Sequence, residues 1–513
     1  MAGFRTVAAG GARGFRGGGG LCAADPAAAA ARLTVLVEHR DVLIVGAGLS
    51  GIGAACLLRR RSPARTFLML EARERIGGTW DLFRYPGMRS DSDMFTLGYS
   101  FRPWTGSQGL GDGAAILRYI RETADEYALE REIRRQHRVI SANWSSAHQR
   151  WTVEVERERD RVQFTCSFLL DCTGYFRYDQ GHLPEFPDSS RFRGTMIHPQ
   201  FWPDTFDASG KRIVVIGSGA TAVTLIPALA ARAASVTMLQ RSPGYILAQP
   251  TRERALPLIS HLPAGAAYRI RRWGSVLLGF AFYQLCRRFP STMRKLLLSR
   301  VQRALGPDYD VSTHFSPRYG PWEQRLCVAP DGDLFAAIRE GRADICTGEV
   351  ERLTPDGLRL RDGRELGADV IVTATGLRLA LLGDVRLEVD GRAATPAGAM
   401  SYRGAMYGGI PNFASTFGYT NASWTLRSEL TCRYVCRLLN YMQQRGHRIC
   451  LPVADESQLP EEWMNLTSGY IRRSAQLLSK QGSSRPWRRY QNYLLDLMFY
   501  YASPLDDGAM RFS

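Results

Sequence analysis

Two glycine-rich loops restrict the fold of this 513-residue chain more than any other feature of its sequence. Each loop follows a short apolar run and opens a helix-like pattern. The spacings are G-x-G-x-x-G at Gly46, Gly48 and Gly51, and G-x-G-x-x-A at Gly217, Gly219 and Ala222. In a dinucleotide-binding unit these residues permit a tight turn, close approach of the backbone to a pyrophosphate, and close packing of helix on strand. The sequence therefore predicts an α/β fold with two Rossmann-like dinucleotide-binding domains.

The residues that end the second strand of each unit predict which dinucleotide is bound. In the first unit this strand ends at Glu71, and an acid there accepts a hydrogen bond from a ribose hydroxyl. In the second unit Gln240 is followed by Arg241 and Ser242, and an arginine accommodates the 2′-phosphate of NADP. We therefore assign NADPH to the second site, with a solvated surface arginine as the alternative for Arg241. FAD is assigned to the first site, because paired units fit hydride passage from nicotinamide to flavin.

The order of the domains follows from two further runs that end at glycines. FLLDCTGY at 168–175 and ADVIVTATGL at 368–377, which closes on Gly376, are typical of strands that return the chain between interleaved domains. We expect a discontinuous FAD-binding domain at 41–186 and 370–513. It would be interrupted by an NADP-binding domain at 187–369, with a helical insertion at about 255–320.

Residues 1–40 differ from the rest of the chain, since they are rich in alanine, glycine and arginine and poor in acids. This composition suits a disordered tail or a mitochondrial transit peptide, and both remain open. No apolar core of a secretory signal is present, so we expect a cytoplasmic protein, or a mitochondrial one if the segment directs import.

Charge and cysteine content exclude several classes of protein. Lys plus Arg exceeds Asp plus Glu by 66 − 49 = 17, which favours anionic partners. Nucleic acid is excluded, because no recognisable binding module is present and the charge is spread along the chain. None of the ten cysteines forms a C-x-x-C pair, so we predict no metal site and exclude a disulfide reductase. Cys432 and Cys436 would share one helix face as packing residues.

The segment 268–303 combines apolar and basic residues without any acid. No run in the chain reaches the roughly 20 apolar residues of a membrane span. The segment could rest on an anionic membrane surface, but a buried helix that roofs a substrate pocket is the favoured interpretation. The oligomeric state is not predicted.

A further motif makes the family specific. The segment FRGTMIHPQFWPD has the pattern F-x-G-x-x-x-H-x-x-x-W-P, with its fixed positions at Phe192, Gly194, His198, Trp202 and Pro203. It resembles the fingerprint of the Baeyer–Villiger monooxygenases, which are class B flavoprotein monooxygenases. The segments at 77–93, 321–335 and 418–426 are similar to a mycobacterial branch of that family. The similarity covers the chain from about Asp41 to its C-terminus.

The resemblance implies an FAD- and NADPH-dependent enzyme that inserts one oxygen atom of dioxygen into hydrophobic ketones. Esters or lactones would form through a flavin peroxide, with sulfoxidation as an accompanying activity. One alternative is a flavin monooxygenase that oxidises nitrogen or sulfur. An alternative of another class is a non-catalytic flavoprotein that binds cofactors or a membrane.

The resemblance also implies roles for individual residues. The active-site cation falls on Arg325, and its companion acid on Asp91, with Asp93 as the alternative partner. Many relatives have lysine where this chain has Gln324. Backbone and side chains of Gly77, Gly78, Thr79 and Trp80 would line the flavin. The fingerprint would link the two domains, with His198 in a structural and gating role. Tyr85, Tyr99 and Trp424 are candidate pocket walls, with core packing as the alternative for each.

Overall fold

The computed structural model describes residues 37–106, 108–251, 261–455, 458–464 and 468–513. The expectation for residues 1–40 therefore lies almost entirely outside the described residues. The first strand begins at Glu38, three residues before the predicted start at Asp41, because Glu38 already pairs with Phe164 of a neighbouring strand.

The first sheet has nine strands drawn from two separate parts of the sequence. They are β1 (Glu38–Val45), β2 (Phe67–Leu70), β5 (Ile133–Arg134), β6 (Arg138–Ser145), β7 (Arg150–Arg157), β8 (Asp160–Asp171), β21 (Arg386–Val389), β22 (Arg392–Ala394) and β25 (Phe413–Ser415). The order is β22-β21-β6-β7-β8-β1-β2-β5, with β25 also paired to β8. The parallel neighbours β1, β2 and β8 end together, since Val45 pairs with both Leu70 and Asp171. This register places Gly46, Glu71 and Cys172 at one edge.

The second sheet is parallel throughout and has the order β10-β19-β11-β12-β15. Its strands are β10 (Thr195–Ile197), β11 (Arg212–Ile216), β12 (Ser235–Gln240), β15 (Ala343–Thr347) and β19 (Val370–Thr373). The expectation that the first domain resumes at residue 370 needs correction at this point. Val370–Thr373 hydrogen-bonds to β10 and β11, so these four residues belong to the second sheet.

Short strand pairs connect and cover the two sheets. They are β3 (Arg89–Asp93) with β4 (Leu110–Asp112), β9 (Phe176–Gly181) with β20 (Leu377–Leu379), β13 (Ile246–Gln249) with β14 (Cys327–Pro330), β23 (Ser401–Tyr402) with β24 (Met406–Tyr407), and β26 (Cys450–Pro452) with β27 (Met510–Phe512). A three-stranded sheet contains β16 (Val350–Thr354), β17 (Gly357–Leu360) and β18 (Glu365–Gly367). The β9–β20 pair joins the two segments of chain that run between the large sheets, which confirms the interleaved arrangement.

Helices pack on both sheets. They are α1 (Leu49–Arg61), α2 (Thr79–Leu82), α3 (Met94–Leu97), α4 (Gly113–Glu126), α5 (Ala220–Ala230), α6 (Ala264–Arg288), α7 (Pro290–Leu305), α8 (Val311–His314), α9 (Asp333–Arg339), α10 (Trp424–Arg445), α11 (Gly469–Arg473) and α12 (Tyr493–Ala502). The helices α6, α7 and α8 occupy the described part of the predicted insertion. Cys432 and Cys436 lie buried in the core on α10. No helix in the described residues is long and apolar enough to cross a membrane.

The buried strands explain why two Rossmann-like units form. All four residues of β2 and the last four of β1 are buried, as expected for parallel strands covered on both faces. One core contains β1, β2, α1, α4 and α10, and a second contains β11, β12, α5 and α9. The α/β prediction with a discontinuous first domain is therefore confirmed.

Candidate active site

A cavity of about 690 Å³ lies beside the carboxyl edge of the first sheet and reaches the second glycine loop. Eleven of the predicted site residues line it: Gly46, Gly48, Glu71, Gly77, Gly78, Thr79, Trp80, Asp91, Gly219, Arg325 and Gly376. The remaining predicted cofactor-binding and fingerprint residues are not among its lining: Gly51, Phe192, Gly194, His198, Trp202, Pro203, Gly217, Ala222, Arg241 and Ser242. The structure thus brings both glycine loops and the predicted ion pair to one space.

The first glycine loop has no room for side chains. Gly46 has φ +97°, and a Cβ atom there would lie 2.8 Å from the carbonyl oxygen of Cys172. A Cβ atom at Gly51 would lie 1.9 Å from the carbonyl oxygen of Gly46. Glycine is therefore required at Gly46 by its positive φ and by the end of β8, and at Gly51 by the close approach of α1 to the end of β1.

A second glycine pair faces this loop. Gly77 and Gly78 have φ +122° and +57°, and the Gly77 amide donates to the carbonyl oxygen of Ala47 over 3.0 Å. A Cβ atom at Gly78 would lie 3.0 Å from the Cα of Gly48. The two loops therefore form a cradle of backbone atoms at the N-terminus of α1, where a pyrophosphate would bind.

Glu71 is buried at the end of β2 and holds the loop together. Its Oε2 accepts the Ala47 amide over 2.7 Å, and its Oε1 accepts the Arg73 amide over 2.9 Å. Burial raises the pKa of the Glu71 carboxyl above its ordinary value. Each carboxylate oxygen keeps a second lone pair, so Glu71 can still accept from a ribose hydroxyl.

Aromatic side chains form much of the cavity wall. Tyr175 stacks on Trp424 with ring centroids 5.0 Å apart, and the Trp424 indole nitrogen donates to the Ser50 hydroxyl over 2.9 Å. Tyr85 also lines the cavity, and burial raises its pKa to about 12. Tyr99 lies in the core instead, where its hydroxyl donates to the carbonyl oxygen of Leu49.

Arg325 forms the ion pair with Asp91. The Arg325 Nη2 lies 2.9 Å from the Asp91 Oδ1, and this pair joins a residue two positions before β14 to strand β3. Asp93, the alternative partner, caps α3, because its carboxylate accepts the amide and hydroxyl of Thr96. The side chains of Arg325 and Asp91 remain 41% and 26% exposed, so the pair faces the cavity rather than the core.

The second glycine loop repeats the geometry of the first. Gly217 has φ +140°, and a Cβ atom there would lie 2.3 Å from the carbonyl oxygen of Ala374. Ala222 is buried on α5. Gln240, which stands where the first unit has an acid, points inward and donates to the carbonyl oxygen of His314. Arg241 is exposed directly after it.

Arg241 lies within electrostatic range of Arg473, which is distant in sequence. Partial burial lowers the pKa of Arg473, and the charges of Arg241 and Arg378 lower it further. The Ser218 hydroxyl donates to the carbonyl oxygen of Ser242 over 3.1 Å, which joins the glycine loop to this edge. Arg241 is therefore not an isolated charge, because a guanidinium from a distant part of the chain lies within its electrostatic range.

The fingerprint segment connects the second sheet, through β10, to strand β9. The side-chain amide of Gln200 donates to the carbonyl oxygens of Arg177 and Tyr178. The backbone amide of Gln200 donates to the Nδ1 of His198. A Cβ atom at Gly181 would lie 2.1 Å from the His198 ring, so β9 packs directly on the imidazole. Burial lowers the pKa of His198. The segment fits a domain link.

Comparisons with known proteins give the family. The family described as flavin-binding monooxygenase-like matches residues 111–258, and an NAD(P)-binding Rossmann-like domain matches residues 44–109. The FAD-containing monooxygenase EthA of Mycobacterium tuberculosis is 51% identical over 483 residues, which are 93% of this chain and 98% of that protein. EthA of Mycolicibacterium smegmatis is 48% identical over 484 residues, with the same coverage. The chain belongs to the FAD-containing monooxygenases.

The fold of this FAD-containing monooxygenase also matches solved structures. A steroid monooxygenase bound to NADP superimposes with a TM-score of 0.71 and 23% identity, covering 93% of this chain and 99% of that one. A structure of cyclohexanone monooxygenase superimposes with a TM-score of 0.70 and 19% identity, covering 81% of this chain and 90% of that one. The predictions of a flavin monooxygenase with FAD as cofactor are confirmed by the family.

Several residues of this FAD-containing monooxygenase site were not found from the sequence. Arg73, Tyr175, Tyr178, Thr221 and Ser468 also line the cavity. The Arg73 guanidinium lies over the Tyr178 ring at 5.8 Å and pairs with Asp81. Only Arg73 could have been predicted from its place in the sequence, because it follows the predicted ribose-binding residue Glu71 by two positions. The others come from separate elements that meet after folding.

Proposed function

We propose that this FAD-containing monooxygenase carries out Baeyer–Villiger oxidation of small hydrophobic ketones, with NADPH as reductant. The observation that carries the proposal is the Arg325–Asp91 ion pair on the wall of a cavity that both glycine loops share. The sequence fingerprint from Phe192 to Pro203 and the fold of steroid and cyclohexanone monooxygenases support it.

FAD fits the first site on geometric grounds. The glycines Gly46, Gly48, Gly77 and Gly78 line the cavity and let the two loops approach each other as bare backbone, and Glu71 stands at their edge. Thr79 and Trp80 continue this wall. When bound, FAD accepts hydride from NADPH and activates dioxygen for transfer to the substrate.

Arg325 supplies a fixed positive charge to the shared cavity. Its guanidinium stays protonated and presents donors in a rigid fork, so it stabilises negative charge that develops on oxygen during transfer. Asp91 accepts from Nη2 and restricts the rotation of the guanidinium. A partly exposed ion pair adds little to folding stability, so we assign this one to orientation of Arg325.

The second site would hold NADPH. Gly217, Gly219 and Ala222 would admit the pyrophosphate at the N-terminus of α5, and Arg241 with Ser242 would contact the 2′-phosphate. Arg473, which lies within electrostatic range of Arg241 and Arg378, would add positive charge to this site. Gly376, which lies between β19 and β20, would let the backbone pass close to this cofactor. We place the NADP-binding domain at 187–373 and the FAD-binding domain on either side of it.

Replacement of Arg325 tests the proposal. In Arg325→Ala we expect FAD to stay bound and ketone-dependent ester formation to fall by at least about 100-fold, since one charge-stabilising group is typically worth that much. Purified holoenzyme is assayed for flavin absorbance, NADPH oxidation and product mass.

Arg318→Ala is the control, because Arg318 is exposed nearby and does not line the cavity. Undiminished ester formation in Arg325→Ala would contradict the role of Arg325. Sulfoxides or N-oxides as the only wild-type products would contradict the ketone assignment. Flavin that NADPH never reduces would indicate a non-catalytic flavoprotein.

A further inference from the structure

Exposed apolar side chains are concentrated on α6 and α7. In the described part of the chain fifteen large hydrophobic residues are exposed, and eight of them lie between residues 262 and 296. These eight are Leu262, Ile270, Trp273, Leu277, Leu278, Leu285, Phe289 and Leu296. Leu278 is 73% exposed. So dense a group on one surface is unusual for a side that meets only water.

The helical spacing separates two faces of α6. Tyr268, Arg272 and Val276 are spaced by four residues and are buried against the body of the protein. Ile270, Trp273, Leu277 and Leu285 are spaced by three, four and eight residues, so they lie together on the opposite side. The helix is therefore apolar on its outer face as well as its inner one. The outer face is not needed for the core.

Arg272 fixes this orientation of α6. Its guanidinium, 6% exposed as a residue, donates to the carbonyl oxygens of Phe95 and Gly98 over 2.6 and 2.7 Å. It also lies 3.5 Å from the Glu429 carboxylate. The Tyr268 hydroxyl donates to the carbonyl oxygen of Tyr99. Rotation of α6 to bury its outer face would break all of these bonds, so the apolar surface is a fixed feature.

The charge around the apolar surface has one sign. The sequence has no acidic residue between Glu253 and Asp308. Among the described residues of this interval, the exposed cations are Arg269, Arg287, Arg288, Lys295, Arg300 and Arg303. Apolar side chains flanked by cations match the boundary between acyl chains and anionic headgroups of a bilayer. A second copy of this chain would bring like charges together and is disfavoured.

We propose that α6 and the first turns of α7 form a docking surface for anionic lipid bilayers. Ile270, Trp273, Leu277 and Leu278 enter the headgroup region, and the surrounding arginines attract the lipid phosphates. The favoured sequence interpretation, a helix buried over the substrate pocket, does not describe this outer face. The surface contains no residue of the candidate active site, so it stands independently of the proposed reaction.

Vesicle binding tests the proposal. FAD-loaded full-length enzyme is sedimented with phosphatidylcholine vesicles and with vesicles in which about one third of the lipid is phosphatidylglycerol. We expect binding to the anionic vesicles that weakens in high salt. The double variant Leu277→Glu with Leu278→Glu should bind at least tenfold more weakly. Leu459→Glu is the matched control, since Leu459 is 70% exposed outside this surface.

Flavin content and NADPH oxidation without substrate should be unchanged in all variants, which verifies their folding. Failure of the wild type to sediment with anionic vesicles would overturn the proposal. Equal binding by the double variant would overturn it too. Self-association in sedimentation velocity that the double variant loses, without vesicle binding, would assign the surface to a second copy and likewise contradict lipid docking.

Discussion

At the scale of single residues, the site depends on which polar side chains are exposed to a ligand and which are buried in the protein. Gln240 and Arg241 are neighbours, yet Gln240 is buried and bonded to His314 while Arg241 faces solvent. The NADP assignment therefore depends on the single exposed side chain of Arg241. A second residue, Asp171, is buried where β8 meets the cavity loop. Both residues give direct tests.

Replacement of Arg241 should separate the two nicotinamide cofactors. In Arg241→Ala we expect the KM for NADPH to rise by about tenfold or more, because a charge-assisted contact to the 2′-phosphate is lost. The weak use of NADH should stay unchanged. Steady-state NADPH and NADH oxidation measure this, with the exposed Arg232→Ala as control. Equal losses with both cofactors would remove the 2′-phosphate assignment.

Asp171 should make stability depend on pH. Burial raises its pKa to about 7 from 3.8, although its Oδ1 accepts the amide and hydroxyl of Thr173. A carboxyl with a raised folded-state pKa stabilises the fold at low pH, and that contribution is lost as pH rises from about 4 to 7. Thermal unfolding from pH 5 to 8 should therefore show Asp171→Asn gaining stability over the wild type with rising pH.

Asp207 provides the matched control for this experiment. It accepts the amide and hydroxyl of Ser209 in the same local pattern, and these bonds lower its pKa. The contribution of Asp207 to folding stability changes only at pH values near or below the ordinary carboxyl pKa. The stability of Asp207→Asn should therefore differ from that of the wild type by a constant amount between pH 5 and 8. A constant difference for Asp171→Asn would show that its carboxyl stays ionised in the fold.

At the scale of secondary structure, α1 is positioned by glycines that act through contact with backbone atoms. The α1 helix follows the first glycine loop, and Gly51 packs against the carbonyl oxygen of Gly46. The sequence pattern was sufficient to predict this contact, because both partners lie within six residues. Residues that meet from separate elements, such as Trp424 and Tyr175, gave no such signal.

Substitution of two helical glycines should distinguish a glycine that is required for backbone contact from one that is not. Gly51→Ala forces a Cβ atom to 1.9 Å from the Gly46 oxygen, so we expect loss of bound FAD and a lower melting temperature. Gly274→Ala on α6 meets nothing within 4 Å and should stabilise the protein by up to about 1 kcal/mol. Flavin absorbance and thermal unfolding distinguish the two. Full FAD retention by Gly51→Ala would show that the loop can shift freely.

At the scale of the whole molecule, two ion pairs of opposite polarity join the cofactor units beside the cavity. Asp91 on β3 pairs with Arg325, and Arg89 on the same strand pairs with Asp333 at the start of α9. The Arg89–Asp333 contacts measure 2.5 and 3.3 Å. Because Arg325 and Asp333 flank β14, the two pairs fix β14 relative to β3 and so fix the position of Arg325.

Breaking the Arg89–Asp333 pair should loosen this arrangement. In Arg89→Asp we expect a several-fold larger fraction of NADPH oxidised without product, because Arg325 is no longer held in position. The swap Arg89→Asp with Asp333→Arg should restore much of the coupling. Arg212→Asp is the control, since the Arg212–Asp369 pair lies within the second unit. Unchanged coupling in Arg89→Asp would show that β14 is held by other contacts.

The sequence alone determined the two Rossmann-like units, the interleaved chain and the family, because glycine spacing, strand patterns and fingerprint residues are local. It also supplied the pairing of Arg325 with Asp91, through resemblance. Only the tertiary structure decided that Tyr99 is core, that Val370–Thr373 belongs to the second sheet, and that Arg473 lies within electrostatic range of Arg241. It also decided that the outer face of α6 stays exposed. These outcomes depend on contacts between residues far apart in the chain, which no local pattern encodes.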